Sequence, residues 1–210
     1  MNAPDISALN TSTLLVFFAL AVLSMMAVTV SFYKVFQFSR MGVGRTRGAE
    51  DILDDWLDGR AEEALGVAAK RKSVLSRVLQ SVFSGLRARP GDQEYAEELG
   101  RQAALIELSS MGKRMRILET VVQAAPILGL LGTVIGMIDA FSTLAGADGA
   151  VDPTQLAGGI WTALTTTAAG LAVALVAYFI ATWLEGRIES ERQSIETLIS
   201  AAIHGRVDGR

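Results

Sequence analysis

The chain has 210 residues, half of them hydrophobic and a fifth charged, with a mean hydropathy of +0.37 and a formal charge of −3. This composition excludes a disordered chain, which combines low hydrophobicity with high net charge, and it lacks the basic excess of a nucleic-acid binder. Cysteine is absent and His204 is the single histidine, so neither a disulfide framework nor zinc–thiolate, Cys-nucleophile or His-based metal or triad chemistry is expected.

A membrane-spanning helix needs about 20 mostly apolar residues. After a short outer segment, residues 1–11, the first such stretch covers 12–34, and no charge interrupts the chain between Asp5 and Lys34. It lacks the basic n-region of a signal peptide and its apolar run is too long for one, so it reads as a retained span. Residues 35–118 form a polar helical region. Apolar positions at Ile52, Leu53, Trp56, Leu57, Leu65, Val67, Val74, Leu75, Val78 and Leu79 recur at helical spacing. Gly59, Gly66 and the Arg89-Pro90-Gly91 turn are expected to divide it, and Asp92 to cap the helix that follows.

No breaker stands between Asp92 and Pro126, so one continuous helix is expected to run from the polar region into a second span, 119–145. A short outer loop, 146–153, leads to a third span, 154–184. That helix is expected to continue through the polar tail, 185–210. The fold class predicted is an all-α membrane protein with three transmembrane helices, the second and third extended into a cytoplasmic helical bundle. Lys34, Arg40, Arg45 and Arg47 follow the first span, and Lys113, Arg114 and Arg116 precede the second, whereas the N-terminal segment and the 139–157 connection carry no Lys or Arg. The positive-inside rule therefore places the N-terminus and the short loop outside and the polar region and C-terminus in the cytoplasm.

The second span carries Pro126 and a stripe of small residues, Ala125, Gly129, Gly132, Gly136 and Ala140. The third continues the theme with Gly159, Ala163 and Gly170. Small stripes let membrane helices approach closely, because lipid supplies no hydrophobic drive and packing must do so. Hydroxyls accompany the stripe: Thr133 in the second span, and Thr162, Thr165, Thr166 and Thr167 in the third. Bonding to a carbonyl of the same helix accounts well for Thr165 or Thr166. Thr133 and Thr167 fall at similar depth on antiparallel helices, where they are candidates to line a polar path. No Lys, Arg, Glu or His occurs inside a span beyond Lys34 and Glu119 at the very edges, and Asp139 reads as interfacial. An ion path normally needs an ionisable group at depth, so a partner must supply it.

The strings APILGLLGTVIGMIDAF and PTQLAGGIWTALTTTAAGLAVAL together resemble the MotA/TolQ/ExbB proton-channel family, in particular its ExbB and TolQ branch. The resemblance is close over residues 119–186. It implies a homo-oligomeric ring, a pentamer, in the bacterial inner membrane, around a single-span ExbD/TolR-like partner that carries a membrane Asp. It further implies that ion flow through that site drives a TonB- or TolA-like force transducer, with no cofactor. Thr133 and Thr167 match the family's two pore threonines. Thr162 stands where the family commonly has Glu, a departure that leaves open whether the ion is H⁺ or Na⁺; as a hydroxyl it would extend the pathway outward. A flagellar-stator-like, MotA-type subunit is a second reading, disfavoured because such chains usually have four spans. A non-conducting scaffold is a third. An enzyme is the least expected class, since no metal-ligand cluster, P-loop or nucleophile elbow is present.

Overall fold

The computed structural model describes residues 11–145 and 153–206. The described residues form helices throughout, with no strand: α1 (Thr11–Met41), α2 (Arg47–Leu57), α3 (Ala61–Lys70), α4 (Val74–Ala88), α5 (Gln93–Gly112), α6 (Met115–Ala145) and α7 (Pro153–His204). The helices α1, α6 and α7 each contain a segment long and apolar enough to cross a bilayer. The protein is therefore an all-α chain with three candidate spans. Residues 1–10, 146–152 and 207–210 lie outside the described residues, and with them nearly all of the expected outer segment and outer loop. The chain divides into two compact units, with boundaries at 32/33, 113/114 and 181/182.

The apolar unit packs the first part of α1, all of α6 and the first part of α7. Val16, Leu20, Ala125 and Ala174 are its buried centre, with Leu23, Leu128, Ile135, Ala169 and Val173 against them. Its outer faces remain strongly apolar: Phe18, Ile127, Trp161 and Phe179 are exposed. An exposed apolar surface of this extent is what a bilayer or neighbouring helices cover. Pro126 sits inside α6 without ending it. Its ring removes the N–H that would bond the Val122 carbonyl, a loss tolerated where other groups can compensate.

The polar unit is built from α2–α5, the end of α1 and the last part of α7. Ile52, Leu53, Leu75, Val78, Leu79, Val82, Phe83, Ala96, Met111 and Ile195 form its core, and Trp56 stacks on Phe83 at 4.2 Å between ring centroids. Ile52, Leu53, Leu75, Val78 and Leu79 are positions that helical spacing selects in the sequence, whereas Leu57, selected on the same ground, is exposed. Asp92 caps α5, its carboxylate accepting the Tyr95 N–H at 3.0 Å, as expected. Gly66 does not break the chain: it lies within α3, facing open space. The break falls instead at 71–73, where the Ser73 hydroxyl accepts the Ser76 N–H and caps α4. A side chain that satisfies an orphan amide ends and restarts a helix more effectively than one glycine, which costs only about 1 kcal/mol.

The expected continuous helix from Asp92 into the second span is interrupted. Lys113 caps α5, and Arg114 adopts a left-handed conformation, φ +67°, before α6 begins at Met115. The interruption coincides with a buried cation. Lys34, fully buried, donates its Nζ to the Met111 carbonyl at the end of α5 and to Gln37 Oε1 at 3.2 Å. Gln37 in turn donates to the Ser110 carbonyl at 3.3 Å. The last carbonyls of a helix have no intrahelical donor and carry the negative end of its dipole, so an ammonium group there replaces the missing bonds. Lys34→Met keeps the stem and removes the donor. It should destabilise the polar unit by about 1.5–3 kcal/mol, the range for hydrogen bonds to charged groups, read as a lower melting temperature in detergent.

A second buried ionic group ties α7 to the turn after α1. Glu191 is fully buried, and its Oε2 accepts the Gly44 N–H at 2.7 Å. Arg187 donates to the Val43 carbonyl at 3.3 Å. Gly44 has φ +81°, a conformation that favours glycine, and a Cβ there would displace the Arg187 guanidinium. Burial pushes the Glu191 carboxyl above its ordinary range, against the opposing pull of the Gly44 N–H and Arg187. The folded state thus binds this proton more tightly than the unfolded chain. The group's contribution is most favourable below the ordinary carboxylate range and is lost as pH rises through the raised value. Glu191→Gln retains an acceptor for Gly44 and lacks this titration. Its melting temperature relative to the wild type should therefore increase from pH 4 to pH 8. An unchanged difference across that range would contradict the assignment.

Candidate ion-pathway and helix-crossing site

The helices α6 and α7 run antiparallel through the apolar unit, and the small residues are where they meet. A side chain carbon at Gly129 would lie 3.0 Å from the Thr167 Cα, one at Gly136 2.8 Å from the Ala163 Cβ, and one at Gly159 2.8 Å from the Ala140 Cβ. At Gly132 it would strike the Thr166 hydroxyl, and at Gly170 it would lie 2.5 Å from the Ala125 carbonyl oxygen. Gly129, Gly132, Gly136 and Gly170 are buried and Gly159 partly so. Pro126 lies one turn before Gly129 on the same helix.

The threonines divide into two sets. Thr166 and Thr167 both donate across the crossing to one acceptor, the Gly129 carbonyl, at 3.1 and 2.9 Å. Thr166 is fully buried and also lies 2.6 Å from the Ala163 carbonyl. Thr133, Thr162 and Thr165 instead donate within their own helices, to Leu130 at 2.6 Å, Gly158 at 3.0 Å and Trp161 at 2.8 Å. Thr133 and Thr167 are therefore on neighbouring turns but serve different acceptors. Thr133 also lines an outward groove of about 530 Å³ with Val134, Met137, Ile138 and Phe141. The own-helix bond that the sequence suggests for Thr165 holds. Thr166 keeps an own-helix bond as well, to the Ala163 carbonyl three residues back, and in addition reaches the Gly129 carbonyl, which no side chain on Gly129 screens.

Asp139 is half-buried near the end of α6, where its backbone carbonyl accepts the Ser142 and Thr143 hydroxyls, both at 2.9 Å. Among the described residues no group of three or more His, Cys, Asp or Glu could hold a metal. Three residues escaped the sequence reading. Thr166 looked like an ordinary back-bonded threonine. Lys34 looked like a flanking positive charge, and Glu191 was part of the polar tail with no role assigned. Nothing in their spacing distinguishes them; each acquires its role from a partner far away in the chain.

Three long apolar helices and this uncharged, glycine-lined crossing define a multi-pass membrane protein. Residues 70–197, well over half of the chain, match the family described as the MotA/TolQ/ExbB proton channel family, and the chain belongs to it. It is 32% identical over 163 residues to a biopolymer transport protein ExbB homolog of Methanothermobacter thermautotrophicus, covering 77% of this chain and 55% of that protein. It is 32% identical over 167 residues to a biopolymer transport protein ExbB-like 1 of Synechocystis, covering 79% of this chain and 65% of that one. Over 93 residues it is 37% identical to the Tol-Pal system protein TolQ of Haemophilus influenzae, 44% of this chain and 40% of that protein. The chain thus spans between about half and two thirds of the first two relatives, and its kinship lies with the ExbB/TolQ branch. The family is one of proton channels rather than enzymes.

Proposed function

We propose that this chain is the ring-forming inner-membrane subunit of an ExbB–ExbD- or TolQ–TolR-like motor. In this reading it forms a pentamer around a single-span partner and uses the proton or ion motive force to energise TonB- or TolA-dependent outer-membrane transport or envelope maintenance. The polar unit and the C-terminus face the cytoplasm, and the N-terminus faces the periplasm. The observation that carries the reading is the α6–α7 crossing. It gathers hydroxyls on a buried glycine carbonyl in the uncharged stretch between Glu119 and Asp139. A carboxylate brought there by a partner would be costly to ionise in so apolar a setting, and hydroxyl donors lower that cost. Thr133, Thr167 and Thr162 are assigned to the ion pathway, and Pro126, Gly129, Gly132, Gly136, Gly159 and Gly170 to helix packing.

A second reading, a non-conducting membrane scaffold, is favoured by one detail: Thr133 and Thr162 already have acceptors on their own helices. Native mass spectrometry of the gently extracted complex, expressed with its chromosomal neighbours, separates the two. The motor reading expects a pentamer retaining a small single-span protein. A monomer, dimer or partner-free assembly would defeat it. Thr162→Ala should lower motor-driven activity at normal abundance; full activity would remove Thr162 from the pathway.

A further inference from the structure

The turn after α1 and the start of α2 enclose a cavity of about 630 Å³ whose lining includes Arg40, Arg45, Arg47, Arg71 and Lys72 and no carboxylate. The whole chain is net acidic, at −3, so this concentration of positive charge is local. Arginines elsewhere in the polar unit have acidic partners: Arg60 with Asp55, Arg77 with Glu107, Arg101 with Glu97 and Arg192 with Glu196. None of the five cations at the cavity makes a hydrogen bond or ion pair with a described residue.

Their placement is also unfavourable as it stands. Arg47 opens α2, and the Arg71 guanidinium lies against Gly48 in the same first turn, so close that a Cβ at Gly48 would overlap it. A helix N-terminus is the positive end of the dipole, and cations there are destabilising unless an anion intervenes. Thr46, at the cap position, supplies no side-chain acceptor. Two guanidinium groups and the end of α2 thus line one cavity with positive charge and no counter-charge, an arrangement that an anion would relieve.

We propose that this cavity binds the phosphate of an anionic phospholipid headgroup. A lipid is favoured over a free anion by continuity with the span. Arg40 lies in the last turn of α1, four residues past the exposed Phe36, about 6 Å along the helix. Exposed Phe32, Tyr33 and Phe36 precede it on the same helix, as aromatic residues do at a membrane–water boundary. Arg and Lys beside such a boundary attract acidic headgroups, and guanidinium groups engage phosphate oxygens in pairs. The inference needs only that α1 ends at a bilayer surface, and it stands or falls separately from the motor reading.

The test uses the full-length complex in nanodiscs of equal parts phosphatidylcholine and phosphatidylglycerol, with bound lipid counted by native mass spectrometry after release. Wild type should retain phosphatidylglycerol selectively. At about five-fold for each cation removed near an anionic surface, the Arg45→Gln/Arg71→Gln pair should weaken retention about twenty-five-fold at low salt. These side chains are exposed, so the variant should fold. Gly48→Ala, which displaces only Arg71, should lower it by a smaller factor. Arg101→Gln/Arg192→Gln removes the same charge elsewhere and should leave retention unchanged. Equal retention of both lipids, or equal loss in the control pair, would overturn the proposal. So would protection of the site by inorganic phosphate with no preference for phosphatidylglycerol, which would assign the cavity to a free anion.

Discussion

Gly170→Leu should abolish accumulation of the chain in membranes. A Cβ at this position would lie 2.5 Å from the Ala125 carbonyl oxygen, 3.0 Å from the Gly129 Cα and 3.2 Å from the Gly129 nitrogen. All three are backbone atoms, so no rotamer change relieves the overlap, and α6 and α7 must separate. Overpacking a well-filled interior costs about 1–3 kcal/mol even when side chains can adjust, and more when they cannot. Separation also breaks the two threonine bonds to the Gly129 carbonyl. Gly132→Leu should be damaging but milder, since what it meets are side-chain atoms of Thr166 and Val16 rather than backbone. Gly158→Ala and Gly186→Ala face open space and should accumulate normally. Membrane-fraction abundance by immunoblot reads all four. Normal levels of Gly170→Leu would mean that the two helices do not meet at this glycine.

The largest functional effect is expected from Thr133→Val combined with Thr167→Val. Valine preserves the branched shape and removes the hydroxyl. Interhelical hydrogen bonds in membranes contribute about 0.6 kcal/mol on average and at most about 1.7. The Gly129 carbonyl keeps the Thr166 donor. On the motor reading proposed above, the double variant should therefore accumulate at normal abundance while energy-dependent function falls at least ten-fold in a strain lacking the native chain. Thr166→Val is the informative contrast. Thr166 is fully buried at the crossing, so its loss should reduce abundance as well as function. Full function of the double variant at normal abundance would remove both threonines from the ion path and favour the scaffold.

The sequence made several features legible because they arise from neighbours in the chain. The length and apolarity of the three spans need no tertiary contact to be recognised, since a bilayer sets the number of residues required. Asp92 capping Tyr95 is a bond across three residues, and the Arg89–Gly91 turn is equally local. Gly66 was misleading because a single exposed glycine weakens a helix without ending it. The break before α6 was hidden because the contact that coincides with it, Lys34 against Met111, joins residues far apart in sequence.

The candidate site divides along the same line. The small stripes of α6 and α7 are periodic, so the sequence alone placed Gly129, Gly132, Gly136, Gly159 and Gly170 as packing candidates. Which hydroxyl reaches which acceptor depends on the register of one helix against the other. That register puts Thr166 and Thr167, rather than Thr133, on the Gly129 carbonyl. The sequence by itself determined the membrane class, the number of spans and the family motif, because bilayer thickness and helical period act on contiguous residues. Only the tertiary structure decided the burial of Lys34 and Glu191, the gathering of Arg45 and Arg71 at one cavity, and the shared acceptor at Gly129. Each depends on helices distant in sequence coming within hydrogen-bonding or electrostatic range.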